Sequence, residues 1–181
     1  LRKKNTKMMN VLIQKVCSLT IVICCSVFSI GVYCQVEVLN SVWLLNEGGS
    51  LETPSVGVYN PTEDTFVVVM EFEEAGFTTD VIVANGAAFA AADNRIYRFN
   101  LDTYEVEASV ELEGVRNLAY YNGAIYATRG EYDFETGGSV EFDAYFIWFN
   151  SETLIWEGEL PAGEGVGFDS EGLVVKNGVA Y

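Results

Sequence analysis

Short runs of alternating hydrophobic and polar residues, separated by turn residues, follow one another from residue 35 to the last residue of the chain. The stretch "VIVANGAAFAAADNRIYRFNLDTYEVEASVEL", which starts at Val81, shows the pattern best. Alternation with a period of two indicates half-buried β-strands, and Asn-Gly between two such runs favours a type I′ hairpin. The stretch predicts four antiparallel strands joined by tight turns.

Two turn motifs recur along the chain in strict alternation. The first is an aromatic-Asn pair followed by acidic and Thr residues, and the second is Asn-Gly. The first motif is spaced by 40 and 50 residues and the second by 37 and 55, which indicates a period of about 37 to 40 residues with insertions in two loops. A period near forty built from four short strands is typical of β-propeller blades. The anchors are Asn60, Asn100 and Asn150 for the first motif, and Asn85, Asn122 and Asn177 for the second.

The fold class predicted from this repeat is all-β, a β-propeller of four-stranded antiparallel blades. We expect blades at about residues 36–74, 80–113 and 117–160, and the start of a fourth near residue 172. Closed propellers have four or more blades. The chain is therefore expected to be the N-terminal part of a longer propeller, truncated after Tyr181. A β-sandwich or meander built from the same hairpins is the alternative.

Several segments resemble the repeat of exported propellers of the YVTN type: "AIYATRG", "YFIWFNSETLIWEGEL" and "RIYRFNLDTYEVEASVELEGVRN". "VWLLNEGG" followed by "SVGVYNPTED" is similar to the surface propellers of Bacteroidetes-type bacteria. "IWFNSETLIWEGEL" also resembles quinoprotein-type repeats, although Leu154 replaces the expected Gly. The resemblance covers about residues 41–181 and implies a propeller at the cell envelope. It implies no particular activity, because one fold supports many functions.

The first 34 residues have a different character from the rest. The basic segment "LRKKNTK" precedes a run without charged residues from Val16 to Val36, which is typical of an export signal. We predict a signal peptide over residues 1–34, cleaved after Cys34, and a secreted, periplasmic or cell-surface domain over residues 35–181. A retained signal anchor or a lipid on Cys34 is the alternative. All four cysteines lie in the leader, so the domain is expected to lack disulfides: Cys17, Cys24, Cys25 and Cys34.

Charge and composition restrict the function of the domain. From residue 35 onward the chain has five basic and 26 acidic residues, a net charge of −21. Such a field repels nucleic acid and anionic membranes. We therefore expect no nucleic acid partner, and membrane contact only through a retained anchor or lipid. The chain has no histidine, so it holds neither a Ser-His-Asp triad nor an imidazole acid-base catalyst. These features favour a binding protein over an enzyme.

The long loops of the predicted blades all fall on one face, opposite the tight turns. Loops on a rigid scaffold often carry function, so this face is the expected binding surface. The loop "RGEYDFETGGSVEFDA" offers oxygen donors for Ca²⁺ and two aromatic residues for stacking on a sugar. The two arginines have an alternative role as partners of nearby carboxylates. The candidate ligand-binding residues are Arg116, Arg129, Glu131, Tyr132, Asp133 and Phe134, and the candidate Ca²⁺ ligands are Glu131, Asp133, Glu135 and Asp143.

The predicted function is that of an exported, non-enzymatic β-propeller that binds a partner protein or a small ligand at the cell envelope through its acidic long-loop face. We predict no catalytic or cofactor-binding residue in the chain apart from the possible Ca²⁺ ligands. One alternative is a glycan-active or quinone-dependent propeller enzyme whose active site lies in blades beyond Tyr181. Another is a structural role in an acidic surface layer.

Overall fold

The computed structural model describes residues 39–49, 52–164 and 172–181. The expected leader and its cleavage site lie outside the described residues. Within the described residues every regular element is a β-strand, and none of them belongs to a helix with the length and hydropathy needed to cross a membrane. The expectation of an all-β chain with antiparallel sheets is confirmed.

The first sheet has three antiparallel strands in sequence order. The chain was expected to form four strands here, but only three residues before the first strand are described. Its register explains the difference, because β1 pairs with β2 in the way that the second strand of the next sheet pairs with the third. A counterpart of the innermost strand would thus fall outside the described residues. The strands are β1 (Val42–Asn46), β2 (Ser55–Asn60) and β3 (Thr65–Glu71).

The second sheet is a four-stranded antiparallel meander, again in sequence order. Its first turn is the Asn-Gly motif, in which Asn85 and Gly86 have φ values of 49° and 73°. These values are those of a type I′ turn, which matches the twist of the strands that it joins. The strands are β4 (Thr78–Ala84), β5 (Ala87–Ala92), β6 (Arg95–Asn100) and β7 (Val106–Glu111).

The third sheet repeats this meander with an insertion between its second and third strands. Its order is β8, β9, β12, β13, and β10 and β11 form a separate two-stranded hairpin inside the insertion. A further hairpin, β14–β15, lies near the end of the chain. The strands are β8 (Val115–Tyr121), β9 (Ala124–Arg129), β10 (Tyr132–Asp133), β11 (Gly138–Ser139), β12 (Ala144–Asn150), β13 (Trp156–Pro161), β14 (Val175–Lys176) and β15 (Val179–Ala180).

The other turn motif is also built the same way each time. The side-chain oxygen of Asn100 accepts hydrogen bonds from the N–H groups of Asp102 at 2.8 Å and Thr103 at 3.0 Å. Asn60 and Asn150 make the equivalent pairs of bonds to their own turns. An Asn side chain that accepts hydrogen bonds from the N–H groups two and three residues further along imitates a backbone turn. The repeat therefore specifies the turns locally.

The core consists of two apolar layers on either side of the second sheet. In β5, Ala87, Phe89 and Ala91 pack towards the third sheet, whereas the alternate alanines Ala88, Ala90 and Ala92 pack towards the first. All six side chains are at most 1% exposed. The second sheet is thus covered on both faces, which explains why β5 is apolar throughout instead of alternating.

Candidate functional site

The connections between strands form two separate faces. The long-loop face contains the β1–β2, β5–β6 and β9–β12 connections and the crossings β3–β4 and β7–β8, whereas the tight-turn face contains the described turns at the opposite strand ends. Hydrogen bonds hold each face together across sheets. On the long-loop face, the Thr78 hydroxyl donates to the Asn46 carbonyl at 2.9 Å. On the tight-turn face, the Asn85 amide donates to the Ser151 hydroxyl at 3.1 Å.

Asp93 lies in the two-residue β5–β6 turn and joins the long-loop connections on both sides of it. Its φ of 48° lies in the left-handed region, which Asp tolerates better than most residues. One carboxylate oxygen accepts a hydrogen bond from Gly76 N–H at 3.0 Å, and the backbone carbonyl accepts one from Val115 N–H at 3.2 Å. The short turn of the second sheet therefore fixes both neighbouring crossings.

Arg129 anchors the start of the inserted loop to the β7–β8 crossing. Its Nε donates to the carbonyl of Glu113 at 2.7 Å, and its guanidinium carbon lies 3.8 Å from the centre of the Phe142 ring. Burial lowers the pKa of Arg129, and nearby carboxylates, led by Glu113, oppose that change. A guanidinium that bonds to a carbonyl and stacks on a ring fixes the loop at both ends.

Two glycines let the inserted loop approach the crossing closely. Gly114 has a φ of 69°, and a Cβ on it would lie 2.8 Å from Cζ of Phe142. The N–H of Gly130 donates to the carbonyl of Gly114 at 2.8 Å. Arg116 donates from Nε to the carbonyl of Gly130 at 2.9 Å. Both candidate arginines thus bond to the backbone of this region, next to the carboxylates that were their expected partners.

A cavity of about 340 Å³ opens on the long-loop face between the second and third sheets. A neighbouring cavity of about 400 Å³ shares two of its lining residues, Asn94 and Glu111. Carboxylates surround the first cavity, so its electrostatic potential favours positively charged groups. The residues that line it are Asp93, Asn94, Glu111, Glu113 and Glu131.

Glu131 differs from the other carboxylates of this cavity. Its Oε2 atom is buried and has no hydrogen-bond partner in the structure. Burial raises the pKa of Glu131, as do the charges of Glu113 and Asp93, whereas Arg116 and Arg129 act in the opposite direction. A carboxylate whose charge is incompletely compensated is a group that a cationic or hydrogen-bond-donating ligand would stabilise.

The hairpin β10–β11 extends the inserted loop beyond this cavity. Asp133 caps its turn, because Oδ1 accepts from Glu135 N–H at 2.8 Å and Oδ2 accepts from the Thr136 hydroxyl at 2.6 Å. These hydrogen bonds lower the pKa of Asp133. Val140 N–H donates to the Glu131 carbonyl at 2.9 Å and continues the pairing. The hairpin is thus held by its own turn and fixed to the third sheet at its base.

Two aromatic side chains of this hairpin reach solvent. Tyr132 is 46% exposed and Phe134 is 90% exposed. Their ring centres lie 5.1 Å apart in an edge-to-face arrangement. An exposed aromatic ring is a favourable contact point for a ligand, because it offers a large contact area with only two side-chain torsions to fix.

The four candidate Ca²⁺ ligands do not come together around one point. Glu131 lines the cavity and Asp133 bonds to its own turn, where Glu135 also lies. The backbone carbonyl of Asp143 accepts from Ala162 N–H at 2.7 Å, close to the start of β12. Across the described part of the chain, no three side chains of His, Cys, Asp or Glu are grouped to hold a metal ion. Calcium binding stays a prediction.

The structure adds Asp93 and Glu113 to the residues that the sequence indicated. Both come from short connections, one in a two-residue turn and one in a crossing of three residues between β7 and β8. The sequence pattern singles out the long loops, and neither residue lies in one. Their position next to Glu131 depends on the stacking of two sheets, for which no local motif is a signal.

Comparisons with known proteins leave the chain without an assigned family. No protein-family model matches it, and no curated protein matches it. The resemblance to exported propellers therefore stays a prediction, and the function has to be argued from the site itself.

Proposed function

We propose that the chain forms blades of an exported, non-enzymatic β-propeller that binds a partner protein or a small ligand at the cell envelope through its long-loop face. The arrangement of the sheets supports the propeller. The first strand of the second sheet, β4, packs beside β1 on one side and beside β8 on the other, and β8 packs beside β14. β4, β8 and β14 are each the first strand of their sheet, and first strands that pack side by side are what blades around a common axis require.

The observation that carries the binding proposal is the exposed aromatic pair on a fixed hairpin. Phe134 is the most exposed of the large hydrophobic residues in the described part of the chain, at 90%. Arg129, Gly114 and Phe142 hold the base of the hairpin in place. Aromatic residues on a rigid support are frequent binding hot spots. The hairpin is therefore suited to act as a contact point for a ligand.

The ligand chemistry follows from the cavity and the hairpin together. Glu113, Glu131 and Asp93 favour a positive charge, and the rings of Tyr132 and Phe134 favour an apolar, aromatic or sugar surface. A ligand with an amine or guanidinium group beside such a surface satisfies both. This describes a Lys- or Arg-containing protein segment or a small organic cation.

A glycan-active enzyme is the second candidate, and one observation favours it. Glu131 has a raised pKa beside two other carboxylates, Glu113 and Asp93. A pair of carboxyl groups in unlike environments is the acid-base arrangement of many glycosidases. Release of reducing sugar from soluble polysaccharides that stops in Glu131→Gln would favour this candidate over simple binding.

The experiment begins with a screen of the purified protein against a random peptide library on phage and against a glycan array. The Kd of the best-binding synthetic ligand is then measured by calorimetry for the wild type and for Phe134→Ala. We expect a loss of about 30-fold, since an aromatic anchor contributes about 2 kcal/mol. Ile155→Ala is the matched control, because Ile155 is 65% exposed on the tight-turn face. Equal losses in the two variants would contradict the proposal.

A further inference from the structure

The outer strands of the three sheets differ in charge. β3, β7 and β13 each lie at the end of their sheet, with no strand on the outer side among the described residues. β7 contains two glutamates and β13 also contains two: Glu107 and Glu111, and Glu157 and Glu159. β3 reads "TFVVVME" and has no charged residue before its last position. The edge of the first sheet is thus apolar where the other two carry charged side chains, which in β7 pair with Arg95 and Arg98.

Charged residues on an edge strand are one of the means by which proteins prevent unwanted pairing with another chain. β3 lacks this protection and also exposes its side chains. Phe66 is 55% exposed, Val67 52% and Val68 49%. Successive residues of a strand point to opposite faces, so apolar groups are available on both sides of the edge. A strand that pairs with β3 would bury them on both sides.

β3 is also well ordered as a template. The ring of Phe66 lies over Gly57 of the neighbouring strand, where any Cβ would collide with it. The Tyr59 hydroxyl donates to Asp64 Oδ1 at 2.9 Å and ties the preceding turn to β2. Pre-formed edges of this kind bind extended segments through main-chain hydrogen bonds, with the side chains providing specificity.

The charges at the ends of β3 indicate which kind of strand fits. Glu63 and Asp64 precede the strand, and Glu71, Glu73 and Glu74 end or follow it. A second copy paired antiparallel about Val68 would place Glu63 opposite Glu73, and a parallel copy would place each acidic residue beside its own equivalent. Like charges opposite one another destabilise a strand pair. Self-pairing is therefore disfavoured at both ends.

We infer that the outer edge of β3 is a binding site for an extended segment of another protein, one that has β-branched residues in its centre and Lys or Arg at both ends. The apolar centre covers Phe66, Val67 and Val68, and the basic ends meet the acidic groups on either side of β3. This surface is separate from the long-loop face. Its partner is recognised through backbone pairing and not through the Phe134 hairpin.

The test uses a fluorescent nine-residue peptide with two lysines at each end and a Val-Thr-Val-Thr-Val centre, and measures its Kd by anisotropy with the purified protein. Three further peptides are compared with it: one with glutamates at the ends, one N-methylated at alternate central residues, and one with five serines as its centre. We expect each of the three to bind at least about tenfold more weakly, because each loses either the charge match, the main-chain hydrogen bonds or the apolar pairing.

Two protein variants locate the site. Val67→Lys adds a charge to the β3 edge and is expected to weaken binding of the basic peptide at least about tenfold. Val106→Lys is the matched control, since Val106 is 45% exposed on the outer strand β7, and it should change the Kd less than about twofold. Circular dichroism verifies that both variants remain folded.

Three outcomes would overturn the inference. The first is equal binding of the N-methylated and unmodified peptides, which would exclude backbone pairing. The second is an equal effect of Val67→Lys and Val106→Lys, which would place the peptide elsewhere. The third is a dimer in sedimentation equilibrium that Val67→Lys dissociates, which would identify a second copy of the chain as the occupant. Phe134→Ala is expected to leave peptide binding unchanged, so this result is independent of the proposed long-loop function.

Discussion

The tight-turn face and the long-loop face lie at opposite ends of the same strands, but their polar side chains differ in how completely they are hydrogen-bonded. On the tight-turn face, each capping asparagine accepts hydrogen bonds from its own turn: Asn60, Asn100 and Asn150. The buried Ser151 hydroxyl accepts a hydrogen bond from the side-chain amide of Asn85. On the long-loop face, some groups also fix the backbone, but Glu131 Oε2 has no partner and Phe134 lies in solvent. The polar turn groups of the first face are therefore satisfied internally, whereas Glu131 on the second face retains an oxygen that a ligand can satisfy.

The largest expected effect concerns the support of the hairpin. Gly114→Val introduces a β-branched residue at a φ of 69° and a Cβ that would contact Phe142, so we expect unfolding stability to fall by about 2 to 4 kcal/mol. Thermal and urea unfolding measure the change. Gly123→Val is the control on the tight-turn face, since it has a similar φ of 87° but open space around the Cβ. A loss in Gly114→Val no larger than that in Gly123→Val would refute the role of the Phe142 contact.

A smaller loss of stability is expected when a tight-turn asparagine is removed. Asn100→Ala deletes the bonds to Asp102 and Thr103 and a further one to Glu107, and should cost about 1 to 2 kcal/mol. Ligand affinity should remain unchanged, because no part of this turn reaches the long-loop face. Urea unfolding and calorimetry on the same sample separate the two effects. A weakened Kd with unchanged stability would reverse the assignment of the two faces.

The smallest effect concerns pH and Glu131. Its pKa is raised in the folded protein, chiefly by burial, so the folded state binds this proton more tightly than the unfolded state. Stability from Glu131 is then fully present below its unfolded pKa and is lost as pH rises through the folded pKa. Glu131→Gln should be slightly more stable than the wild type at pH 7, by less than about 1 kcal/mol, and should lose this advantage near pH 4. If the stability of Glu131→Gln relative to wild type is instead lower at pH 7 than at pH 4, the pKa of Glu131 is not raised in the folded protein.

The sequence predicted the features that depend on neighbouring residues. The Asn-Gly turns and the Asn-capped turns involve hydrogen bonds and φ values within a few positions of Asn85 or Asn100, so their residues identify them. Strand alternation likewise indicated an all-β fold. The residues of the acidic cavity could not be found in this way, because Asp93, Glu113 and Glu131 meet only after two sheets stack.

The roles of individual loop residues also depended on distant contacts. Arg116 and Arg129 were candidates for ligand binding and for pairing with carboxylates, and the structure adds that both donate to backbone carbonyls of other segments. Asp133 looked like a metal ligand and caps a hairpin within a loop that showed no alternation. The composition of the sequence is enough to predict a long loop inserted in a β-meander. The hairpin inside that loop depends on a few side-chain hydrogen bonds, which the alternation of apolar and polar residues does not predict.

Hydrogen exchange of the protein with and without the best ligand of the peptide and glycan screens tests the central claim most directly. If the long-loop face binds, amides of residues 130–140 in the inserted hairpin should gain protection, with a smaller gain near residue 113. The turns at residues 84–87, 100–106 and 150–156 should exchange as in the free protein. Protection confined to those turns, with the hairpin unchanged, would contradict the account.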